Sequence, residues 1–278
     1  MNFIKEDIHM KQFKPQLRTK NHTAAPLRNS LGEFAMRCII RLGSRTTVAE
    51  AFPRMPQGRP VIEVNTVEAC HNSGDKILMK QCFTRAGVKT ANWSRLNDYD
   101  SITFPSIIKH KNSCKGEGIY LILAQADLDE FLANHRDTQN YIIEAFASNM
   151  AKEYRLHVTK DGCFYTCRKM LKADAEDRWH RHDSNSVWIM EENPLFEKPS
   201  NWDDMIAESV KALNAVGLDV GAVDLKCQSE KGRRDDFIPE FIILEINSAP
   251  SIASVTEVKY REELPKIIND KIANYGRS

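Results

Sequence analysis

The chain has 278 residues, 42% hydrophobic and 28% charged, enough for one large domain or two ordinary ones around a real core. Its net charge of +1 supplies no whole-molecule field for nucleic acid or a membrane surface. No run of about 18 apolar residues is present to span a bilayer, and "MNFIKEDIHM" lacks the apolar centre of a signal peptide. The seven cysteines are odd in number and form no CxxC pair. Cys163 and Cys167 come nearest to one another, but on a strand they are too far apart to share a metal, so a reduced, cytoplasmic setting is expected.

In chain order, the first thirty residues carry Pro15 and Pro26 and little periodicity, and read as an arm. From Met1 to Arg45 there are nine basic residues (Lys5, Lys11, Lys14, Arg18, Lys20, Arg28, Arg37, Arg41, Arg45) against Glu6, Asp7 and Glu33, a local excess of six. That excess leaves two readings open, a polyanion-binding arm or a solvated terminus. Residues 31–74 read as a reduced N-terminal α/β segment, with a strand ending at Gly43 and another from Pro60 to Asn65.

A helix follows from Asp75 to Ala86, with Asp75 favourable at its start and Gly87 as its stop. A strand from Ser106, a Gly-containing loop and "IYLIL" read as a hairpin, "QADLDEFLAN" as an amphipathic helix and "YIIEAF" as a strand. In the second half, two alternating segments flank Lys160-Asp161-Gly162, where Asp-Gly supplies the positive φ angles of a tight turn. A helix from Trp202 to Val216 ends at Gly217. "VGAVDLKC" and "EFIILEIN" then read as strands bracketing a charged insertion, and a last helix lies around "YREELPKIINDKIA". No internal repeat or low-complexity segment is present. The pattern is α+β with hairpins dominant rather than a doubly wound alternation.

Two polar intrusions into apolar strands carry the chemistry. In "FIILEIN", Glu245 and Asn247 share a strand face by the period of two. Asp224 is similarly flanked by Val223 and Leu225. If these strands pair, the three side chains converge. Two carboxylates in an apolar setting repel unless a cation sits between them, and an all-oxygen donor set suits Mg²⁺ or Mn²⁺. The competing reading is edge-strand polarity facing water. Lys109 ends a strand and is followed by "NSCKGEG", whose Gly116 and Gly118 permit close backbone approach to a phosphate, with Ser113 or Lys115 adding donors; a plain hairpin tip reads as well. Lys76 on the preceding helix is by default a solvated lysine.

The order of these pieces from about Asn65 to Ser254 resembles the ATP-grasp superfamily, nearest to RimK-like and phage-encoded ATP-grasp carboxylate–amine ligases, with D-alanine–D-alanine ligase a more distant cousin. The resemblance implies two α+β subdomains, 75–150 with the Gly-rich loop and 151–278 with the metal site, whose antiparallel sheets clasp ATP. It implies that Lys76 and Lys109 hold the phosphates under a mobile cover from Ser113 to Gly118, including Lys115 and Gly116. It assigns adenine to the backbone of Glu144, Ala145 and Phe146, and the ribose hydroxyls to Glu153. Arg168, with Lys169, would point a cation at the transferring phosphate, and Asp224, Glu245 and Asn247 would hold one or two Mg²⁺ ions. The implied reaction joins a carboxylate to an amine of an amino acid, peptide or protein through an acylphosphate, releasing ADP. Arg178 or Arg181 of "DRWHRH" would help to hold the anion, given their place after the phosphate strand; by themselves its two histidines and arginines read more often as a solvated polar loop than as a metal site.

The chain departs from the family where Asn247-Ser-Ala-Pro-Ser251 replaces the usual Asn-x-Ser-Pro-Gly, and where Ala222 stands in place of the arginine of D-alanine ligases. The latter argues against D-alanine ligation. Two rival readings remain: an acceptor carried on a nucleic acid held by the basic arm, and a nucleotide-binding module without turnover. "KDG" at 160–162 lacks the spacing of a nucleotidyl-lysine motif, which excludes covalent nucleotidyl transfer.

Overall fold

The computed structural model describes residues 11–113, 117–182, 184–252 and 255–277. The most N-terminal apolar runs form a parallel sheet in the order β1 (Gln16–Thr19), β2 (Cys38–Leu42) and β3 (Ile62–Val64), with α1 (Leu27–Ser30) and α2 (Val48–Ala51) in the connections. β2 is buried at every position, as the central strand of a covered parallel sheet must be. This corrects the reading of the first thirty residues as an arm. Leu17 and Leu27 join Ile40 and Val64 in one core, so burial holds residues 16–30 in the fold. Residues 1–10 of that arm lie outside the described residues.

The middle of the chain starts with α3 (Val67–Gly74), which the sequence did not announce, and α4 (Lys76–Ala86). Asp75 Oδ1 accepts the N–H groups of Ile77 and Leu78 at 2.9 and 3.2 Å, capping α4 where expected. Gly87 closes it at φ +64°, a left-handed conformation that a side chain would strain. A four-stranded sheet follows from β4 (Trp93–Arg95), β5 (Ser106–His110), β6 (Ile119–Ile122) and β7 (Tyr141–Ala145), in the order β4-β7-β5-β6. Its inner face packs on α5 (Gln125–Asn134) through Leu128 and Phe131.

The third sheet is antiparallel. It comprises β8 (Lys152–Thr159), β9 (Gly162–Leu171), β10 (Ser186–Met190), β11 (Val220–Cys227) and β12 (Phe241–Asn247), in the order β10-β9-β8-β11-β12. The β8–β9 hairpin turns at Lys160-Asp161 as expected, whereas the edge strand β10 was not foreseen. One face carries Tyr154, Leu156, Val223, Leu225 and Ile243 onto α6 (Trp202–Val216). The two antiparallel sheets are joined at Thr90 and Ile243: Ile243 N–H donates to Lys89 O at 2.7 Å, and Thr90 Oγ1 donates to Ile243 O at 2.8 Å.

The last helix, α7 (Val255–Asn274), returns to the parallel sheet, burying Tyr260, Leu264 and Ile268 against it. Asn65 ties that sheet to β11. It is fully buried at φ +57°, its Nδ2 donates to Arg41 O and Val220 O at 3.0 Å each, and its Oδ1 accepts from Asp219 and Val220. Asparagine suits the position because its short amide tolerates the left-handed region while bonding backbone.

Candidate active site

In register, β8, β11 and β12 bring Arg155, Asp224 and Glu245 into one row across three strands. Directly opposed residues share a face, so all three point away from α6. A bulge at Leu244, between the Asp224–Glu245 and Leu225–Ile243 pairs, explains the mixed pattern of "FIILEIN". The extra residue lets Ile243 and Ile246 both reach the core while Glu245 and Asn247 face the site.

Asn247 Nδ2 donates to Asp224 Oδ2 at 3.2 Å and to Glu245 Oε1 at 3.1 Å, so the three predicted ligands do converge. Asp224 is 8% exposed and so is no edge residue facing bulk water, whereas the Glu245 side chain, on the outer strand β12, is 33% exposed. Burial pushes the Asp224 carboxyl up, only partly opposed by Arg155, whereas for Glu245 the Lys76 and Lys109 cations outweigh burial and bring it below its usual range. The two carboxylates offer the oxygen donors that a hard divalent cation takes, and Asn247 joins them once its amide turns Oδ1 inward in place of Nδ2.

Arg155 was not singled out by the sequence. Its guanidinium grips Asp224 bidentately, Nε to Oδ1 at 2.6 Å and Nη2 to Oδ2 at 2.7 Å, and lies 4.7 Å from the Trp188 ring centroid. The next row on this face is Lys169, Glu153 and Lys226. Arg168 is a correction. Alternation along β9 pairs it with Tyr154, whose side chain belongs to the α6 core, and sets its Nη1 3.6 Å from Glu197. Lys169 is the cation of the two that shares the site face, with Nζ donating to Arg181 O at 3.0 Å.

Across from this floor stands the four-stranded sheet with its lysines. Lys76 Nζ donates to Ser113 O and lies 3.9 Å from Glu245 Oε2, linking the start of α4, the β5–β6 loop and the carboxylate row. Ser113 Oγ donates to His110 O at 2.8 Å, and Gly118 takes φ +62° as the loop rejoins β6. The expected loop residues Lys115 and Gly116 lie outside the described residues.

Lys109 pairs with Glu144 Oε1, and a lysine the sequence reading passed over, Lys80, stands 2.9 Å from Oε2. Lys80 is 1% exposed and also reaches Thr90 Oγ1 at 2.5 Å. Burial opposes ionisation of Glu144, but the two ammonium groups overcome it and hold the carboxyl down at about 2. For Lys80 burial wins and its pKa falls, while Lys109, nearer to more carboxylates, is raised. The signal that could have found Lys80 is its place one turn after Lys76 on a helix face otherwise apolar.

At the hinge, two of the expected backbone donors are engaged within the fold. Ala145 N–H donates to Asn92 O at 2.9 Å and Phe146 N–H to Pro105 O at 3.0 Å, so neither donor is left for a base. Glu153, expected at the ribose, is met by Arg181 Nη1 at 3.4 Å, while Arg181 Nη2 donates to Ala151 O at 2.5 Å. Arg178 is exposed and makes no part of this cluster. Beyond the carboxylate strand, Ser248 Oγ accepts from Ser73 Oγ at 2.9 Å, and Asn21 Nδ2 donates to Ser251 Oγ at 3.3 Å. A Cβ at Gly43 would collide with Ala249, so this turn is pressed against the end of the parallel sheet.

No protein-family model and no curated protein matches the chain. Solved structures do. D-alanine–D-alanine ligase from Bacillus anthracis complexed with ATP matches with TM-score 0.59 at 14% identity, over 93% of this chain and 95% of that one. L-amino acid ligase from Bacillus licheniformis matches with TM-score 0.56 at 11% identity, over 90% and 70%. VanG D-Ala:D-Ser ligase from Enterococcus faecalis matches with TM-score 0.58 at 15% identity, over 84% and 72%. The described helices include none long and apolar enough to cross a membrane. The chain has the ATP-grasp fold of these structures, matched over 93–94% of its length rather than over one subdomain.

Proposed function

We propose that this protein is an ATP- and Mg²⁺-dependent carboxylate–amine ligase of the RimK-like kind. The observation that carries the reading is the meeting of Asp224, Glu245 and Asn247 with Lys76 and Lys109 across the gap between the two antiparallel sheets. Acidic ligands on one wall and ammonium groups on the other match a polyphosphate that is anionic and carries a divalent cation.

Asp224, Glu245 and Asn247 would hold Mg²⁺, which when bound neutralises phosphate charge at the transferring group. Lys76 and Lys109 bind phosphate oxygens from the opposite wall, and the Ser113–Gly118 segment covers them and keeps water out. Glu153 binds the ribose hydroxyls after exchanging its Arg181 contact. Adenine lies against the backbone that follows Phe146, because the N–H groups of Ala145 and Phe146 are already bonded.

Attack of a substrate carboxylate oxygen on the γ-phosphorus forms a P–O bond, expels ADP and leaves an acylphosphate. An amine then forms the C–N bond, phosphate leaves with the C–O electron pair, and the amine proton passes to solvent. Lys169, expected in this role together with Arg168, and Arg155 share the site face, and Arg155 takes the part expected of Arg168. Ala222 argues against D-alanine as the acceptor.

The test is ADP release with ATP and Mg²⁺ across amino acids, peptides, proteins and nucleic acids as acceptors. Glu245→Gln should reduce acceptor-dependent ADP release by at least about 100-fold, the scale of losing one charge-stabilising group, while leaving the melting transition in place. Unchanged turnover in that variant would refute the assignment. Binding of ATP without turnover on any acceptor would favour a nucleotide-binding module. Turnover only on a nucleic-acid-linked acceptor, lost in a folded variant with the exposed Lys14, Lys20 and Arg28 replaced by glutamine, would favour the basic segment as its holder.

A further inference from the structure

The segment between β9 and β10 gathers Asp177, His180 and His182, which offer one ligand atom each within 4.8 Å of one another. The sequence alone favoured a solvated or anion-binding loop over a metal site at "RWHRH", since it could not show that the chain folds back to bring Asp177 to the histidines. His180 Nδ1 lies 3.3 Å from Asp177 Oδ2, yet it is buried and makes no hydrogen bond. That separation is the ligand-to-ligand edge of a zinc tetrahedron, about 3.3 Å for bonds of about 2.0–2.1 Å. His182 Nδ1 is shared with Ser184 Oγ at 2.7 Å, leaving Nε2 to coordinate, with the hydroxyl fixing the ring as metal-bound histidines usually require.

One buried amide organises the backbone of all three residues. Asn185, 7% exposed, donates from Nδ2 to Asp177 O and to His180 O at 3.0 Å each, and accepts the His182 N–H on Oδ1 at 2.9 Å. A solvated loop has no need of such a clamp. Neither ring nitrogens nor this geometry suit Mg²⁺, whereas two imidazoles and one carboxylate are an ordinary zinc set with a fourth position for water.

We propose that Asp177, His180 and His182 form a zinc-binding site on the β9–β10 segment, separate from the Asp224–Glu245 site. Arg181, between the two histidines, reaches Glu153, and Trp179, whose ring lies 4.1 Å from that of His180 at a tilt of 38°, meets Phe146 at 6.3 Å. Zinc there would fix the one segment that spans from the hinge to Glu153. The inference does not depend on ligase activity, and its test needs no ATP.

The full chain, stripped with a chelator, is titrated calorimetrically with Zn²⁺ in excess Mg²⁺, and with Co²⁺ as an absorbing substitute. One Zn²⁺ per chain and intense tetrahedral Co²⁺ bands are expected, both retained in Glu245→Gln. His180→Ala and His182→Ala should each abolish the bands, and Asn185→Ala should weaken zinc binding by about 10–100-fold, the usual effect of removing a supporting hydrogen bond. Melting curves without metal verify that the variants are folded, and His182→Gln serves if His182→Ala is not. Absence of stoichiometric zinc, or bands that survive in the folded histidine variants but vanish in Glu245→Gln, would overturn the proposal.

Discussion

Arg155 on β8 and Asp224 on β11 stand opposite each other in the ladder, and both carboxylate oxygens of Asp224 are held by the one guanidinium. A cation bound by Asp224 must therefore use the lone pairs that Arg155 leaves, beside Glu245. The pair shares a buried wall, and burial is what raises the Asp224 carboxyl in spite of its partner.

Arg155→Met is expected to cost about 3–5 kcal/mol, the range for stranding one partner of a buried ion pair. Urea unfolding of the variant measures it. A change of less than about 1 kcal/mol, the worth of an exposed pair, would mean that water already screens Asp224.

Glu144 balances two buried ammonium groups, Lys80 and Lys109. Glu144→Gln should destabilise the fold by a similar ~3–5 kcal/mol. Adding Lys80→Met should recover part of that loss, because one unpaired charge leaves the interior with its volume retained. A double-mutant cycle on thermal melts checks the coupling, and strict additivity of the two losses would contradict it.

Asn65 lends itself to a comparison of two substitutions. Asn65→Gly keeps the φ +57° backbone comfortable but deletes the amide bonds to Arg41, Asp219 and Val220. Asn65→Ala deletes the same bonds and adds strain of about 1 kcal/mol or more. Both should unfold at lower denaturant than the parent, with alanine the worse. Equal midpoints for the two variants would show that the left-handed backbone carries no cost.

The pH dependence of stability should report His157. Its imidazole is pushed down to about 3 by burial, with the Arg155 cation adding to the effect, against 6.5 for a free ring. The unfolded chain therefore takes up the proton first. Stability from the neutral ring is full above pH 6.5, declines as pH falls below that value and levels off near 3. His157→Gln should flatten this window, read as the slope of unfolding free energy against pH. Glu144, free at 4.5 and held at about 2, adds its own loss only between those lower values. A slope in His157→Gln that matches the parent between pH 6 and 5 would place the acid response elsewhere.

Much of the secondary structure was legible because it rests on local rules. Asp75 and Gly87 bound α4 by capping and by positive φ, and Asp161-Gly162 marks the β8–β9 turn by the same steric logic. Alternation in "GAVDLKC" separates Asp224 from Val223 and Leu225 before any sheet is known. Helix α3 and strands β4 and β10 escaped notice because they are short and weakly patterned, held by neighbours rather than by propensity.

The sequence by itself determined the residue types and the face of each strand, which was enough to nominate Asp224, Glu245, Asn247 and Lys109, while Lys76 and the ATP-grasp fold were expected from the family resemblance that the order of the pieces carries. Only the tertiary structure decided which candidates meet. Arg168 and Lys169 are adjacent in the chain, yet pairing β9 with β8 turns the first toward Tyr154 and the second toward Glu153. Arg155, Lys80 and the Asp177–His180–His182 cluster gain their roles from partners 69, 64 and a few residues away respectively, at contacts that arise when strands and helices pack. Periodicity is written into a single segment, whereas charge partnership depends on which segments lie side by side.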